Sequence, residues 1–386
     1  MPRIGGLTLS TLLLPTMLLV GTPSLYQVTA QPRQASRMHS ESPTARPPAR
    51  LTALTALPPD SQPLFESNDV LHVTLEMDIH TVTRDIGEDR EEHPATLSYT
   101  DEDGELVVLE ATVRTRGKFR RDWRNCDFPP LKIDLKKHRF PDDQLAGTLF
   151  ENQNELKLVC HCRNDVEEYQ QFVLKEYVAY RIYQMLTDLS YSVRLASVTY
   201  ADVDGRRPPF TRYAFFIEDE EKMAARNGAV VLDSLGVRQM DLDDQYSTLF
   251  SFFQYFIGNC DWKVSALHNV TLLRQGVRYP IAVPYDFDWA GVVDPPYAVP
   301  PAALGTGDVR ERVFISPCRT AYDIERTIEI LQERKEAIYA LYSDLSALDE
   351  HARSRCLEYL EEFYDLIGDP DEVRRTFHRS CGNDLN

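Results

Sequence analysis

Three carboxylates and one amide stand at the ends of apolar segments in the second half of this sequence. Asp261 follows the aromatic-rich segment 243–259, and Asn269 comes eight residues later. Asp286 and Asp288 follow in the stretch YDFD. Packing gives no reason for this placement, whereas transfer of a γ-phosphoryl group needs a carboxylate at the attacking hydroxyl and oxygen ligands for Mg²⁺. We therefore predict Asp261 as the catalytic base and the other three residues as metal ligands.

A short hairpin would bring these groups together. Apolar runs follow Asn269 and precede Asp286, on either side of a turn at Gly276. Because paired strands lie about 4.8 Å apart, the two side chains would meet at one end of the hairpin. The alternative is a local role for each residue: Asp261 as a turn cap, Asn269 at a strand edge or in a glycosylation sequon, and the aspartate pair in an exposed turn.

Phosphate groups would also need a cation, and the upstream candidates are Arg116, Lys118 and Lys132. Lys132 lies in an alternating strand, on the face opposite the apolar residues. That face is either a nucleotide cleft or a water-exposed surface. Glu176, early in a predicted helix, is a candidate partner for the phosphate-binding lysine, with the acids at 167–168 as alternatives.

The elements that must position these residues follow from hydrophobic periodicity. Alternation predicts early strands at 69–79, 104–119, 129–137 and 154–162. Later segments predict helices at 167–189, at 243–259 and from 322 onward, with hairpins at 194–219 and 269–287. We expect the early strands to form an antiparallel sheet.

The charge balance argues against a nucleic-acid partner. The 386 residues carry a formal net charge of −18, and 43% of them are hydrophobic. Binding to nucleic-acid phosphates requires clustered Lys and Arg, so we predict no nucleic-acid partner. The chain is long enough to bury a large core.

The first thirty residues have the pattern of a signal peptide. Arg3 precedes an apolar run at 7–20, and small residues stand at Val28 and Ala30. We predict cleavage after residue 30, a secreted or extracytoplasmic location, and no membrane span after signal removal. A retained N-terminal anchor or a lipoprotein is the alternative, and the lack of a Cys near the cleavage site argues against lipidation. Residues 31–63, rich in Pro, Ser, Ala and Arg, predict a disordered linker.

Seven cysteines fit an exported chain, where disulfides form. The odd count leaves at least one thiol free if all pairing is internal. Cys160, His161 and Cys162 suggest a metal site, but the chain has no second Cys/His pair at zinc spacing. We therefore expect disulfide partners or buried thiols.

Several short motifs between residues 110 and 290 have a common counterpart. They are R-x-R-G at Arg114–Gly117, P-x-K at Pro130–Lys132, LKEYVAYRIYQML, RYAFFIEDEEKM, GNCDWKVSALHN and VPYDFDWA. The last two are the most specific. Together they resemble the spore coat protein CotH family of atypical secreted protein kinases.

The resemblance implies a role for each matching residue. Asp261 would be catalytic, Asn269 and Asp286 would bind the metal with Asp288 beside them, and Lys132 would contact the phosphates. Residues implied in nucleotide binding are Arg116, Gly117, Lys132, Glu176 and Glu218.

The resemblance also implies a fold and an activity. The fold would be α+β, protein-kinase-like and two-lobed, with an antiparallel-sheet N-lobe at 64–217 and a mainly helical C-lobe at 218–386. The expected enzyme transfers the ATP γ-phosphate to Ser or Thr of secreted or cell-surface proteins, using Mg²⁺ or Mn²⁺. The alternatives are an inactive kinase-fold binding or scaffold protein and a metal-dependent nucleotide-sugar transferase.

Overall fold

Seven strands close into a barrel in the computed structural model, which describes residues 61–135 and 144–379. The strands are β1 Leu71–Met77, β2 His93–Thr100, β3 Leu106–Thr115, β4 Leu131–Asp134, β5 Glu155–Val159, β6 Val193–Asp202 and β7 Phe210–Ile217. Their order around the barrel is β1-β2-β3-β4-β5-β7-β6. Neighbours are antiparallel except β1 and β6, which run parallel from Leu71 opposite Ala196 to Met77 opposite Asp202. This parallel pair closes the barrel.

The barrel interior is filled by the apolar half of each alternating strand. Leu75, Leu97, Val113 and Ile133 are fully buried and belong to one core cluster. Because successive side chains in a strand point to opposite faces, the polar partners of these residues lie on the outer surface. Lys132 is one of these outward residues.

The predicted two-lobed, protein-kinase-like fold with an antiparallel-sheet N-lobe and a mainly helical C-lobe is wrong. The sheet is mixed and closed, and it includes β2, a strand that the sequence analysis did not predict. Periodicity marks which residues form a strand and which face is buried, but it does not reveal pairing between strands more than a hundred residues apart.

Helices and a second, small sheet complete the described chain. The helices are α1 Ile79–Arg84, α2 Tyr169–Leu186, α3 Glu220–Arg226, α4 Asp244–Ile257, α5 Ala321–Glu333, α6 Lys335–Ser343, α7 Glu350–Gly368 and α8 Pro370–Val373. The small sheet has the order β10-β9-β8, with β8 Val230–Val231, β9 Val270–Arg274 and β10 Ile281–Pro284. The predicted helices at 167–189 and 243–259 and the predicted hairpins are confirmed.

Aromatic packing fixes α2 and α4 against the segment that follows β10. Tyr180 lies 4.6 Å from Phe287, and Phe253 lies 4.6 Å from Tyr183 and 5.3 Å from Phe287, measured between ring centroids. Tilted and edge-on rings at such distances stabilise a core beyond their buried area. The same segments carry Glu176 and the YDFD stretch, so this core positions the candidate site.

The predicted leader at 1–30 lies outside the described residues, as does nearly all of the predicted linker. Within the described part, no helix combines the length and apolarity needed to cross a bilayer. The described residues belong to one compact unit.

The Cys-His-Cys segment contributes to a disulfide and a buried core. Cys162 is bonded to Cys126, and the Cys160 thiol is buried. The His161 ring stacks on Phe128 at 4.7 Å, and its Nε2 lies 2.6 Å from the Oδ1 of Asn164. This arrangement agrees with the expected disulfide partner and buried thiol.

His161 is expected to make the protein less stable in acid. Burial lowers its pKa from 6.5 to about 4, so the unfolded chain binds a proton over this window and the folded chain does not. Stability is then retained above pH 6.5 and lost as pH falls toward 4, by about 3 kcal/mol. Urea unfolding between pH 4 and 7 measures this slope. His161→Gln should flatten it, whereas His72→Gln, at an exposed position on β1, should not; equal slopes in all three proteins would contradict the assignment.

Candidate functional site

Three carboxylates from two distant segments surround one buried arginine. The Arg120 guanidinium lies 3.2 Å from Glu176 Oε2, 3.0 Å from Asp286 Oδ1 and 3.3 Å from Asp288 Oδ2. One oxygen from each carboxylate lies within 4.8 Å of the others. We call Glu176, Asp286 and Asp288 the carboxylate cluster.

Burial makes ionisation of the carboxylate cluster unfavourable. Glu176 and Asp288 are almost inaccessible, and their burial raises the pKa of both groups above the usual range. Burial alone would lower the pKa of Arg120, but the charges of Asp288 and Glu176 outweigh it and hold that pKa well above its ordinary value. Three acids against one guanidinium leave an excess of negative charge when all are ionised.

Aromatic contacts hold the loop that carries Arg120 over the YDFD segment. Phe119 packs on Trp289 at 5.2 Å and on Tyr297 at 5.4 Å between ring centroids. Tyr297 also donates a hydrogen bond to Asp288 Oδ2. Gly117, with a φ of +83°, begins this loop just after β3, a backbone conformation that glycine adopts without steric cost.

Asp261 lies in the loop after α4, where two neighbours hold its carboxylate. His268 Nε2 lies 2.9 Å from Asp261 Oδ1, and the Asn269 amide donates to Oδ2 at 3.0 Å and to the backbone oxygen at 2.7 Å. The hydrogen bond to Asp261 raises the pKa of His268. With its nitrogen used in this way, Asn269 keeps Oδ1 as the atom able to bind a cation.

The hairpin of β9 and β10 brings Asn269 beside the YDFD segment, as the spacing predicted. The Tyr285 N–H donates to the Asn269 carbonyl at 3.1 Å, one step beyond the pair Pro284 and Val270. Asn269 and Asp286 both have left-handed backbones, with φ of +54° and +61°. Residues outside the usual regions cost about 1–3 kcal/mol and cluster at functional sites, and Asn and Asp tolerate this region best.

Two cations, Arg116 and Lys157, act on the cluster electrostatically without a direct ion pair among the described residues. Burial lowers the pKa of Lys157, and the nearby charge of Arg116 lowers it further. The Lys157 ammonium lies 5.5 Å from the centre of the Tyr285 ring, and Asp286 acts on it electrostatically. Neither cation forms an ion pair with another residue of the described chain. Two like charges gathered at partly buried positions favour an anionic ligand.

Two residues predicted to bind nucleotide are engaged elsewhere. Lys132 forms an ion pair with Glu155 on the outer face of the barrel. Glu155 belongs to a second group of acids, with Glu92 and Asp134, and not to the carboxylate cluster. Glu218 is fully buried, and its carboxylate accepts from Arg226 at 2.8 and 3.0 Å and from the Ser192 N–H at 2.8 Å. The structure therefore brings Glu176, Asp286 and Asp288 together, with Arg116 nearby. It places neither Lys132 nor Glu218 in contact with this cluster. Their predicted roles stay predictions.

Sequence reasoning missed Arg120, Lys157 and His268. Arg120 stands among the cations of RGKFRRDWR, where the charge density was a signal but did not single out one residue. Lys157 is paired with Lys132 in the β4–β5 register, so alternation places both on the same outer face. His268 directly precedes Asn269, and only the loop geometry shows that it reaches Asp261.

Gly258 is expected to be indispensable to the Asp261 loop. It ends α4 with a φ of +68°, and a Cβ there would lie 1.9 Å from the Tyr359 hydroxyl. Gly258→Ala combines left-handed strain with a clash, and should cost about 2–5 kcal/mol. Gly276→Ala is the matched control, because it has a φ of +58° but open space around its Cβ, and should cost about 1–2 kcal/mol. Denaturant unfolding of both variants checks this, and similar costs would contradict the clash.

The donor set fits a divalent cation such as Mg²⁺ or Mn²⁺. These ions prefer hard oxygen ligands, and the carboxylate cluster supplies three carboxylates within 4.8 Å. Glu176 Oε1 is buried and has no hydrogen-bond partner among the described residues. An unpartnered carboxylate oxygen in a buried, acid-rich site is the donor that a cation would satisfy.

Comparisons with known proteins identify no relative of this chain. No model of a known protein family matches the chain, and no curated protein matches it either. The resemblance to the CotH family therefore stays a prediction.

Proposed function

We propose that the chain transfers the γ-phosphoryl group of ATP, with Mg²⁺ or Mn²⁺, to a hydroxyl group of a protein acceptor. The observation that carries this proposal is the meeting of the carboxylate cluster with two cations, Arg116 and Lys157, that form no direct ion pair among the described residues. A polyphosphate with a bound divalent cation has the complementary pattern of charges. The proposal rests on this site and not on overall fold.

Each residue then has a role set by its surroundings. The carboxylate cluster, including the unpartnered Oε1 of Glu176, would hold the metal together with Asn269, and the metal when bound neutralises charge on the phosphate oxygens. Arg116 and Lys157 would bind phosphate oxygens. Asp261, only partly exposed and oriented by His268 and Asn269, would accept or orient the acceptor hydroxyl.

An extracytoplasmic protein acceptor is part of the same proposal. The disulfide between Cys126 and Cys162 is compatible with an oxidising compartment. The N-terminal leader pattern supports export independently. Acceptors would then be secreted or surface proteins with accessible Ser or Thr residues.

Purified protein should bind ATP in a metal-dependent manner through Lys157 and not through Lys132. Lys157→Met removes a charged contact worth about 1.5–3 kcal/mol, which corresponds to roughly a tenfold to hundredfold loss of ATP affinity. Lys132→Met removes a lysine already paired with Glu155 and should bind normally. Calorimetric titration with ATP and Mg²⁺, followed by transfer of labelled phosphate to mixed secreted proteins, measures both steps.

The outcomes separate the candidate functions. Stabilisation by ATP with Mg²⁺, with transfer, supports the proposal. A response to nucleotide-sugars instead of ATP would indicate the transferase alternative, and a response to neither would indicate a binding protein. If Lys132→Met loses affinity for ATP and Lys157→Met does not, phosphate binding belongs to Lys132, and the role proposed for Lys157 is refuted.

A further inference from the structure

We propose that the loop at 116–124 docks an acidic segment of the protein acceptor beside Asp261, an inference that rests on the proposed function. The loop reads RGKFRRDWR, with five cations and one acid in a chain of net charge −18. The loop is strongly positive, whereas the whole chain is strongly negative. A local positive charge of this kind points to a specific anionic partner.

The cations of this loop divide between two places. Arg120 points inward to the carboxylate cluster, and Arg116 acts electrostatically on the partly buried Lys157. Lys118 and Arg124 are exposed on the outside, where Lys118 has no ion-pair partner in the described chain. Arg124 pairs with Asp122 of the same loop. The inward pair therefore serves the proposed ATP site, and Lys118 is the outward cation available to an acceptor.

The outward part forms an open groove with an apolar platform. The groove has a volume of about 460 Å³ and is lined by Ile86, Lys118, Arg121, Asp122, Trp123 and Arg124. The Trp123 side chain is 72% exposed. A large exposed ring between cations can pack on a peptide while the cations bind its carboxylates.

The charge of Lys118, which lines the groove, acts on the histidine that holds the candidate base. His268 is held by its hydrogen bond to Asp261, and the charge of Lys118 acts on the same imidazole. An acidic residue bound at Lys118 would therefore lie close to the hydroxyl presented to Asp261. The groove would therefore select acceptor Ser or Thr residues that have acidic neighbours.

An acid of the chain itself, Glu88, occupies one cation of the groove, so an incoming acidic peptide must displace it. Arg121 pairs at 2.6 Å with Glu88, whose side chain is 88% exposed. Such surface pairs are worth about 0–1 kcal/mol, so an acidic peptide with several carboxylates can displace Glu88. A nucleic acid would have to approach a strongly negative protein along its whole length, whereas a short acidic peptide needs only the groove.

Peptide binding tests the docking site without requiring catalysis. Three labelled peptides of equal length would present one Ser flanked by Glu, by Gln or by Lys, and fluorescence anisotropy without ATP would report their affinities. The Glu peptide should bind most tightly, and its advantage should fall with added salt. Lys118→Glu should reduce its affinity about tenfold. Arg278→Glu, the same kind of charge reversal at an exposed position of the β9–β10 turn, should leave it unchanged.

A second variant and the nucleotide assay keep the two proposals distinguishable. Trp123→Ala should weaken all three peptides, while ATP binding with Mg²⁺ stays normal in both loop variants. Equal affinities for the three peptides, or equal effects of Lys118→Glu and Arg278→Glu, would overturn the docking site even if ATP binds. Acidic-peptide binding without ATP binding would uphold the groove and reject the phosphotransferase.

Discussion

Replacement of Arg120 with methionine is expected to lower the free energy of unfolding by about 3–5 kcal/mol, because removing one partner of a buried ion pair leaves the other charges uncompensated. Glu176 and Asp288 have side chains only 1% and 8% exposed, so water cannot replace the guanidinium. Methionine keeps much of the volume of the arginine stem, and the loss therefore reports on charge more than on packing.

The Arg120→Met variant should also respond to pH and to metal ions. Burial raises the pKa of both acids, so the folded variant holds protons that the unfolded chain releases, and its stability should fall as pH rises above the ordinary carboxylate range. Unfolding in urea at pH 5.5 and pH 8 measures this fall. Mg²⁺ should restore stability if the carboxylate cluster binds it, since a ligand of the folded state stabilises by mass action.

Arg121→Met is the matched control for Arg120→Met. Arg121 is the next residue and is also buried, but its partner Glu88 is exposed. The loss of that pair should cost no more than about 1 kcal/mol. Equal destabilisation of the two variants would show that Arg120 contributes packing and not compensation of the cluster.

The parts of the site that the sequence predicted are those that local structure brings together. Asn269 and Asp286 belong to one hairpin, and Asp261 lies in the loop between that hairpin and α4. Strand alternation, a turn at Gly276 and helix length are local properties, so spacing alone was enough to predict Asn269 near Asp261 and beside the segment that carries Asp286.

The rest depends on contacts between distant segments. Arg120 and Asp286 are 166 positions apart, and their contact depends on how the loop after β3 packs on Trp289 and Tyr297. Barrel closure depends on the parallel pairing of β1 with β6. Lys132 and Lys157 lie opposite each other on one face, and only tertiary packing determines that Lys157 lies near Tyr285 and Asp286.

Asp286→Asn is expected to abolish metal-dependent ATP binding, by at least about 100-fold, while the protein stays folded. Changes merely adjacent to metal ligands cost about 10–100-fold, and loss of a ligand's charge should cost more. Asn tolerates the left-handed backbone at this position, and its side-chain oxygen can still accept from Arg120. The loss therefore isolates the negative charge of Asp286, which is the more accessible of the two aspartates.

Asp261→Asn supplies the contrast that separates metal binding from catalysis. The variant should lose no more than about tenfold in ATP and Mg²⁺ affinity, the low end for a change beside a metal ligand, because the new amide oxygen can still accept from Asn269 and because residue 261 lies outside the carboxylate cluster. Its turnover should fall by about 10²–10⁴, the usual contribution of a general base. Titration calorimetry and single-turnover transfer on the two variants give binding and chemistry separately. If Asp286→Asn binds ATP normally, or if Asp261→Asn transfers phosphate at the wild-type rate, the corresponding role is refuted, since each substitution removes the charge of one carboxylate and keeps a side-chain oxygen that can accept a hydrogen bond.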